Sequence, residues 1–287
     1  MSDNKCKGCP SEGSCGEDPA TCSMPVPTRG RFKHIVAVGS GKGGVGKSSV
    51  SALLAIGLSR LGHKTALLDA DITGPSIPSM LGVYGIPSGV PTGIIPPVSP
   101  MLGISVMSMT LFMEDDSKPV VWRGPLIGNV INQFWNNTEW GDAEILVIDL
   151  PPGTSDAPLT VMQTIALDGV IMVTTPQDLS VRIVEKMMHM TKLMNVPLLG
   201  IVENMSYAIC PHCGEHWDLF GPSHLEEIRS RWDIPALATL PVDKQITILA
   251  DSGRLEEYRL GDEPEEMAAK VLSAAASLVT SPPGGSR

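Results

Sequence analysis

Residues 41 to 48 read GKGGVGKS, which fits the pattern G-x-x-x-x-G-K-[ST]. Glycines at this density let backbone N–H groups turn toward phosphate oxygens, and a helix starting just after them adds its dipole. Lys47 would reach the β- and γ-phosphates and Ser48 would hold Mg²⁺. The expected nucleotide loop is therefore Gly41, Lys42, Gly43, Gly44, Val45, Gly46, Lys47, Ser48 and Ser49. Lys42 is a second lysine inside the glycine run; its plain alternative is a solvated loop charge. Two acidic stretches complete the set. LLDAD puts Asp69 and Asp71 just past one apolar run, and VIDLPPGTSD puts Asp149 at the end of another, with Gly153 in the turn that follows. Carboxylates at the carboxyl ends of parallel strands lie on the ligand-binding edge of a sheet. Asp69 reads equally well as a brace for the loop. The chemistry that suits these groups is phosphoryl transfer to water, in which a protein supplies position and positive charge.

The six cysteines fall into two groups. Cys210 and Cys213 form a C-x-x-C pair inside MSYAICPHCGEHW, and Cys6, Cys9, Cys15 and Cys22 are spaced C-x2-C-x5-C-x6-C. In a reducing compartment such clusters read as metal sites before disulfides. Two thiolates fill only half the shell of a zinc ion or an iron–sulfur cluster, so Cys210 and Cys213 need further ligands. His216, with His212 nearby, offers a zinc site within one chain, although a fourth ligand is not obvious. The four N-terminal thiols suffice for one [4Fe–4S] unit, with a zinc ribbon as the alternative.

The rest of the chain must position these groups. It has 287 residues, 43% hydrophobic and 18% charged, enough for one large α/β domain or two small ones with a sizeable core. A net charge of −10 argues against a general nucleic-acid binder. No apolar run reaches the ~18 residues of a membrane span, and the start MSDNKCKGC lacks the apolar core of a signal peptide. The expectation is a cytoplasmic protein with neither membrane nor nucleic acid as partner. Residues 1–30 read as a cysteine-rich appendage and linker, 31–280 as the main domain, and 281–287 as a flexible tail. From residue 33 onward, strand and helix patterns alternate. Strands are expected over 34–40, 64–71, 103–110, 143–153, 169–176 and 197–206. Helices are expected over 48–62, 125–137, 157–167, 180–195, 224–232 and 264–279. Residues 74–103, crowded with Pro and Gly, read as a long, partly irregular segment. The methionines of 187–194 read as adaptable core filling. Most strand patterns are continuous apolar runs, the mark of a parallel sheet covered on both faces. The fold class is α/β: a P-loop NTPase sheet with helices on both faces, carrying a small N-terminal appendage.

The form K-G-G-x-G-K-[ST] resembles the deviant Walker A loop of the SIMIBI-type ATPases, which include MinD, ParA, the nitrogenase iron protein and the Mrp/ApbC iron–sulfur carriers. The resemblance to Mrp/ApbC covers roughly residues 30 to 280, through GSGKGGVGKS, DADITGPSIPSMLG, WRGP, DLPPGTSD, TTPQ, VENMS and CPHCGE in order. It implies a homodimer in which Lys42 reaches the partner's nucleotide. It further implies Asp149 acting on Mg²⁺ through water, Asp71 orienting the attacking water, the Gly153 N–H sensing the γ-phosphate and Asn204 reading adenine. An ordinary turn cap is the alternative for Asn204. The family's C-x-x-C pair binds a [4Fe–4S] cluster shared between two subunits, which would complete the half-shell of Cys210 and Cys213. The N-terminal trio Cys6, Cys9 and Cys15 resembles the ferredoxin-like segment of the family's eukaryotic cytosolic scaffolds. That branch has its remaining cysteine upstream, whereas here Cys22 follows. The activity implied is ATP-dependent scaffolding or carriage of iron–sulfur clusters to apo-proteins. The alternative is a dimerising nucleotide switch with a structural zinc site. A MinD-like positioner would need a basic amphipathic C-terminal helix, and PEEMAAKVLSAAASLV has one lysine.

Overall fold

The structure, a computed structural model, describes residues 32–113, 124–259 and 261–280. The four N-terminal cysteines, the linker after them, the start of WRGP and the tail 281–287 lie outside the described residues. The chain opens with strand β1 (His34–Ser40), the loop, helix α1 (Lys47–Arg60), β2 (Thr65–Asp69), α2 (Ile77–Leu81) and a small hairpin of β3 (Ser88–Val90) and β4 (Gly93–Ile95). There follow β5 (Ser105–Met107), a 3-10 turn over Met109–Phe112, α3 (Gly124–Asn137), β6 (Ile145–Asp149), α4 (Asp156–Thr164), β7 (Gly169–Thr174), α5 (Asp178–Leu193) and β8 (Leu198–Glu203). The last part comprises β9 (Ala208–Ile209), β10 (His216–Trp217), α6 (Leu225–Trp232), β11 (Ala236–Thr239), α7 (Lys244–Asp251) and α8 (Glu263–Thr280).

Seven strands form one parallel sheet in the order β11-β8-β7-β1-β6-β2-β5. The apolar runs make this outcome necessary. In β1 the residues Val36 and Val38 face one core while Ile35 and Ala37 face the other, and in β6 Val147 and Leu146 divide in the same way. A strand with no polar side has to be covered twice. Helices α1, α2, α7 and α8 pack on one face, and α3, α4, α5 and α6 on the other. The methionines Met187, Met188 and Met190 of α5 are buried in the second core, as filling.

The sheet aligns the chemistry. Val38 of β1 pairs with Asp149 of β6, and Asp69 of β2 pairs with the same Asp149. The loop after β1 and the two acidic strand ends therefore leave the sheet side by side. The TTPQ turn after β7 and Asn204 after β8 emerge from the same edge. Parts of the segment 74–103 are more regular than its composition suggests. Ser76 begins α2 with Pro78 in the first turn, and β3 and β4 pair antiparallel. Strand β11, helix α7 and the β9–β10 hairpin lie outside the strands and helices expected from the sequence; the two hairpin strands, with two residues each, are too short to impose a readable period. Among the described residues no helix is long and apolar enough to cross a membrane.

Candidate nucleotide and metal site

The phosphate loop is shaped by glycine at two places. Gly46, which caps α1, has φ 77°, and a Cβ there would lie 2.1 Å from Asn204 Nδ2. A Cβ on Gly41 would lie 2.4 Å from the backbone of Ile183 and Val184, because α5 crosses directly against the loop. Only glycine tolerates both the left-handed backbone and the close approach. Gly43 and Gly44 face open space. Val45 is buried, and its carbonyl accepts from Asn204 Nδ2 at 2.9 Å. Ser49 lies in the first turn of α1 and is half-buried.

Around the loop the charges interlock. Lys47 Nζ lies 2.8 Å from Asp149 Oδ1 and 3.7 Å from Asp71 Oδ2, and all three side chains are buried. Ser48 Oγ donates to Asp149 Oδ2 at 2.6 Å, and Ser51 Oγ donates to Asp149 Oδ1 at 2.7 Å. Asp71 Oδ1 accepts from Thr73 Oγ1 at 3.1 Å. A hydroxyl and a carboxylate facing each other beside a phosphate loop are oxygen donors of the kind a hard cation takes, so Ser48 and Asp149 fit Mg²⁺. Gly153, at φ 82°, stands next to the Gly41 carbonyl, but its N–H donates to the Ser40 carbonyl at 2.9 Å. Meeting a phosphate oxygen would require that bond to open. Lys42 Nζ donates to Gln177 Oε1 at 2.8 Å, at the start of α5. Its ammonium is anchored at this edge instead of hanging in solvent.

Asp69 braces the loop region. It accepts from the N–H groups of Asp71, Ser76 and Ile77 and from the Ser108 hydroxyl, so it ties the end of β2 to the start of α2 and the end of β5. Its complete burial, and then the nearby charge of Asp149, push its carboxyl up to about 8, against the opposing pull of Lys47. Ser51 and Gln177 are site residues that the motif reading did not assign. Ser51 sits one helical turn after Lys47, on the same face, so its spacing could have flagged it. Gln177 stood in TTPQ with no chemistry attached to it.

The thiols lie elsewhere on the same edge. Strands β9 and β10 pair antiparallel, Ile209 opposite His216 and Ala208 opposite Trp217, and the turn between them carries Cys210 and Cys213. Cys210 N–H donates to the Glu215 carbonyl and Gly214 N–H to the Cys210 carbonyl, each at 2.9 Å; Gly214 has φ 75°. Cys210 is half-buried and Cys213 exposed. The backbone N–H of Cys213, then that of His212, then the Cys213 side chain, hydrogen-bond the Cys210 sulfur and hold its thiol below the usual range. Thiolate is the form that ligates metal. His216 stacks on Tyr207 with ring centroids 4.7 Å apart and planes 11° from parallel. Among the described residues no group of three or more His, Cys, Asp or Glu side chains could hold a metal ion. Cys210 and Cys213 are therefore a two-thiol site with its ring neighbour turned onto a tyrosine.

Comparison with known proteins shows what the whole chain is similar to. The model of the NUBPL iron-transfer P-loop NTPase family, a ParA group, matches residues 31–279. A protein of Methanocaldococcus jannaschii named iron-sulfur cluster carrier protein is 41% identical over 257 residues, covering 88% of each chain. One of Clostridium perfringens with the same name is 40% identical, covering 88% of this chain and 94% of its own. Among solved structures, the nucleotide-binding protein of Archaeoglobus fulgidus in complex with ADP superposes with a TM-score of 0.72 at 41% identity, over 80% of this chain and 90% of that one. The cell-division ATPase MinD of Pyrococcus furiosus shares the fold at 20% identity and a TM-score of 0.61, over 84% of this chain and 99% of its own.

Proposed function

The chain belongs to the NUBPL iron-transfer P-loop NTPase family, and from that premise we propose that it is an ATP-dependent carrier of iron–sulfur clusters, working as a homodimer. The observation that carries this reading is the two-thiol turn, which accompanies a phosphate-loop site in one chain and belongs to no group of three or more metal-ligating side chains among the described residues. A second copy related by a two-fold axis supplies two more thiols, and four thiolates hold a [4Fe–4S] cluster. The cluster is cargo, to be passed to apo-proteins. The relatives' shared name, iron-sulfur cluster carrier protein, supports the same reading.

The nucleotide chemistry is hydrolysis of ATP to ADP and phosphate. The loop N–H groups and Lys47 bind the β- and γ-phosphates, and Lys47 leaves Asp149 to do so. When Mg²⁺ is bound, Ser48 and Asp149 are its protein-side partners, and the ion neutralises charge on the phosphate oxygens. Asp71 orients the attacking water, whose oxygen bonds to the γ-phosphorus as the bond to the bridging oxygen breaks and ADP leaves. Lys42, released from Gln177, reaches across the dimer to the partner's nucleotide. Asn204 turns its amide from Val45 to the adenine. In this reading residues 1–30, with Cys6, Cys9, Cys15 and Cys22, are a cysteine-rich ferredoxin-like segment and linker, 31–280 are the ATPase domain, and the protein works in the cytoplasm.

The test is iron, acid-labile sulfide and zinc per chain on protein prepared without oxygen, for wild type and for the Cys210→Ser/Cys213→Ser double variant, with the mass of each assembly. Wild type should hold about six irons per chain, roughly four at the N-terminus and half of a shared four-iron cluster. The variant should lose about two irons with matching sulfide. Stoichiometric zinc without sulfide, lost in the variant, would instead make the turn a structural knuckle on a nucleotide switch.

A further inference from the structure

The segment 203–210 joins the two sites, and it begins with a buried carboxyl group that neither chemistry uses. Glu203 ends β8 with no exposure to solvent. Its Oε2 accepts from Ser206 Oγ at 2.5 Å, while its Oε1 has no hydrogen-bond partner among the described residues. A buried polar atom without a partner is rare enough to require a reason. Its position suggests one. Asn204, the next residue, holds the Val45 carbonyl of the phosphate loop. Met205 then takes the left-handed backbone at φ 55°, unusual for a side chain of its kind. Ser206 N–H pairs with the Leu240 carbonyl, and the Tyr207 carbonyl accepts from Val242 N–H at 2.7 Å. Tyr207 carries the stacked ring of His216, and β9 leads directly to Cys210. Five residues thus separate a side chain touching the phosphate loop from the first thiol of the pair.

We propose that Glu203 and Ser206 are positioning residues that set the cysteine hairpin according to what occupies the phosphate loop. This rests on the carrier reading above. A carboxyl group offering two oxygens to one hydroxyl gives the turn two bonded arrangements. Packed elements with two arrangements, and not a graded range, are what convert a local shift into a distant one. Drawing the Asn204 amide away from Val45 moves the turn at its base. The Ser206 hydroxyl exchanges from Oε2 to Oε1, and the strand that follows carries the change to Cys210 and Cys213.

The test reads the thiols directly. The full chain, freed of metal, is treated with N-ethylmaleimide without nucleotide, with ADP, and with a non-hydrolysable ATP analogue. Modification of the peptide bearing Cys210 and Cys213 is followed by mass spectrometry. In wild type the rate should change about five-fold or more between the empty and the ATP-analogue states, the scale of a modest coupling free energy. Ser206→Ala should bind the analogue within about two-fold of wild type yet bring that rate ratio to about one, and Ser206→Thr should restore it. Glu203→Gln keeps one acceptor and removes the other, so it too should give a ratio of about one, which covers the case in which Ser206→Ala fails to fold. A wild-type ratio in Ser206→Ala or in Glu203→Gln would overturn the proposal. A ratio of one in wild type, with cluster transfer still dependent on nucleotide, would overturn it while leaving the carrier reading intact. Cluster transfer indifferent to nucleotide would remove the carrier reading itself.

Discussion

At the scale of single residues, two charged groups make opposite demands. Among the described residues Lys42 is held by Gln177 and not by a carboxylate, so moving it from there costs one neutral-acceptor hydrogen bond and no ion pair. Lys42→Ala should therefore leave the fold and ATP binding close to wild type while lowering phosphate release by roughly 10²-fold or more, as for loss of one transition-state donor. Wild-type turnover in this variant would remove the lysine from the reaction. Asp69 is a fixed brace whose carboxyl is pushed up to about 8 by burial and then by Asp149. A folded-state value above the unfolded one means the native chain holds the proton more tightly. Its contribution to stability is complete below about pH 4 and is lost as the pH rises through about 8, with a slope of at most ~1.4 kcal/mol per pH unit. Thermal unfolding of the nucleotide-free chain between pH 5 and 9 should show this loss, and Asp69→Asn should flatten it. An unchanged slope in the variant would place the titration elsewhere.

At the scale of elements, the cysteine hairpin has little to support it. It has two residues in each strand, and residues 211–220 of its turn and exit are exposed throughout. Its turn depends on Gly214 at φ 75°, where a β-branched residue is strained by ~1–2 kcal/mol or more. Gly214→Val should leave the melting of the main sheet within about 1 °C, since the strain falls on an exposed turn that can open locally. Iron bound at Cys210 and Cys213 should nevertheless be lost, because the N–H donors aimed at the Cys210 sulfur would no longer be held. Full iron retention would show that the thiols do not need the turn. The phosphate loop is the contrasting case. It is enclosed by α5 at Gly41 and by Asn204 at Gly46, so a methyl group there collides with backbone and with a buried amide instead of displacing solvent.

At the scale of the whole molecule, four of the exposed apolar side chains lie in the cysteine hairpin and its exit. Trp217 is 51% exposed, Ile209 43%, Leu219 39% and Phe220 37%, in a chain with only five tryptophans and four phenylalanines. Taken against aromatic side chains of 150–250 Å², this is roughly 350 Å² per copy. A stable interface needs about 800 Å² per partner. The lip alone is too small for a permanent dimer, so in the proposed assembly cargo and the Lys42–nucleotide contact would have to add to it. Trp217→Glu combined with Phe220→Glu should shift the loaded protein from dimer to monomer in a mass measurement and lower iron retention, with ATP binding within about two-fold. A dimer of wild-type stability and iron content would mean that this lip faces something other than a second copy.

Much of this was written in local sequence. GKGGVGKS, with a strand pattern before it and a helix pattern after it, determined the nucleotide loop, because dense glycines and a following lysine suit one kind of ligand and little else. The two-sided apolar runs determined a doubly covered parallel sheet, and the spacing of Cys210 and Cys213 put two thiols within one short stretch. Three things only the tertiary structure decided. It made Asp69 a brace by aiming three backbone N–H groups and a hydroxyl at it, a convergence of α2 and β5 on β2 that no spacing encodes. It gave Lys42 a partner in Gln177, which is 135 residues away in sequence and adjacent only because β1 and β7 are neighbours. And it laid the route from the phosphate loop to the cysteines along β8 and the turn after it, past a carboxyl group whose burial depends on every strand around it.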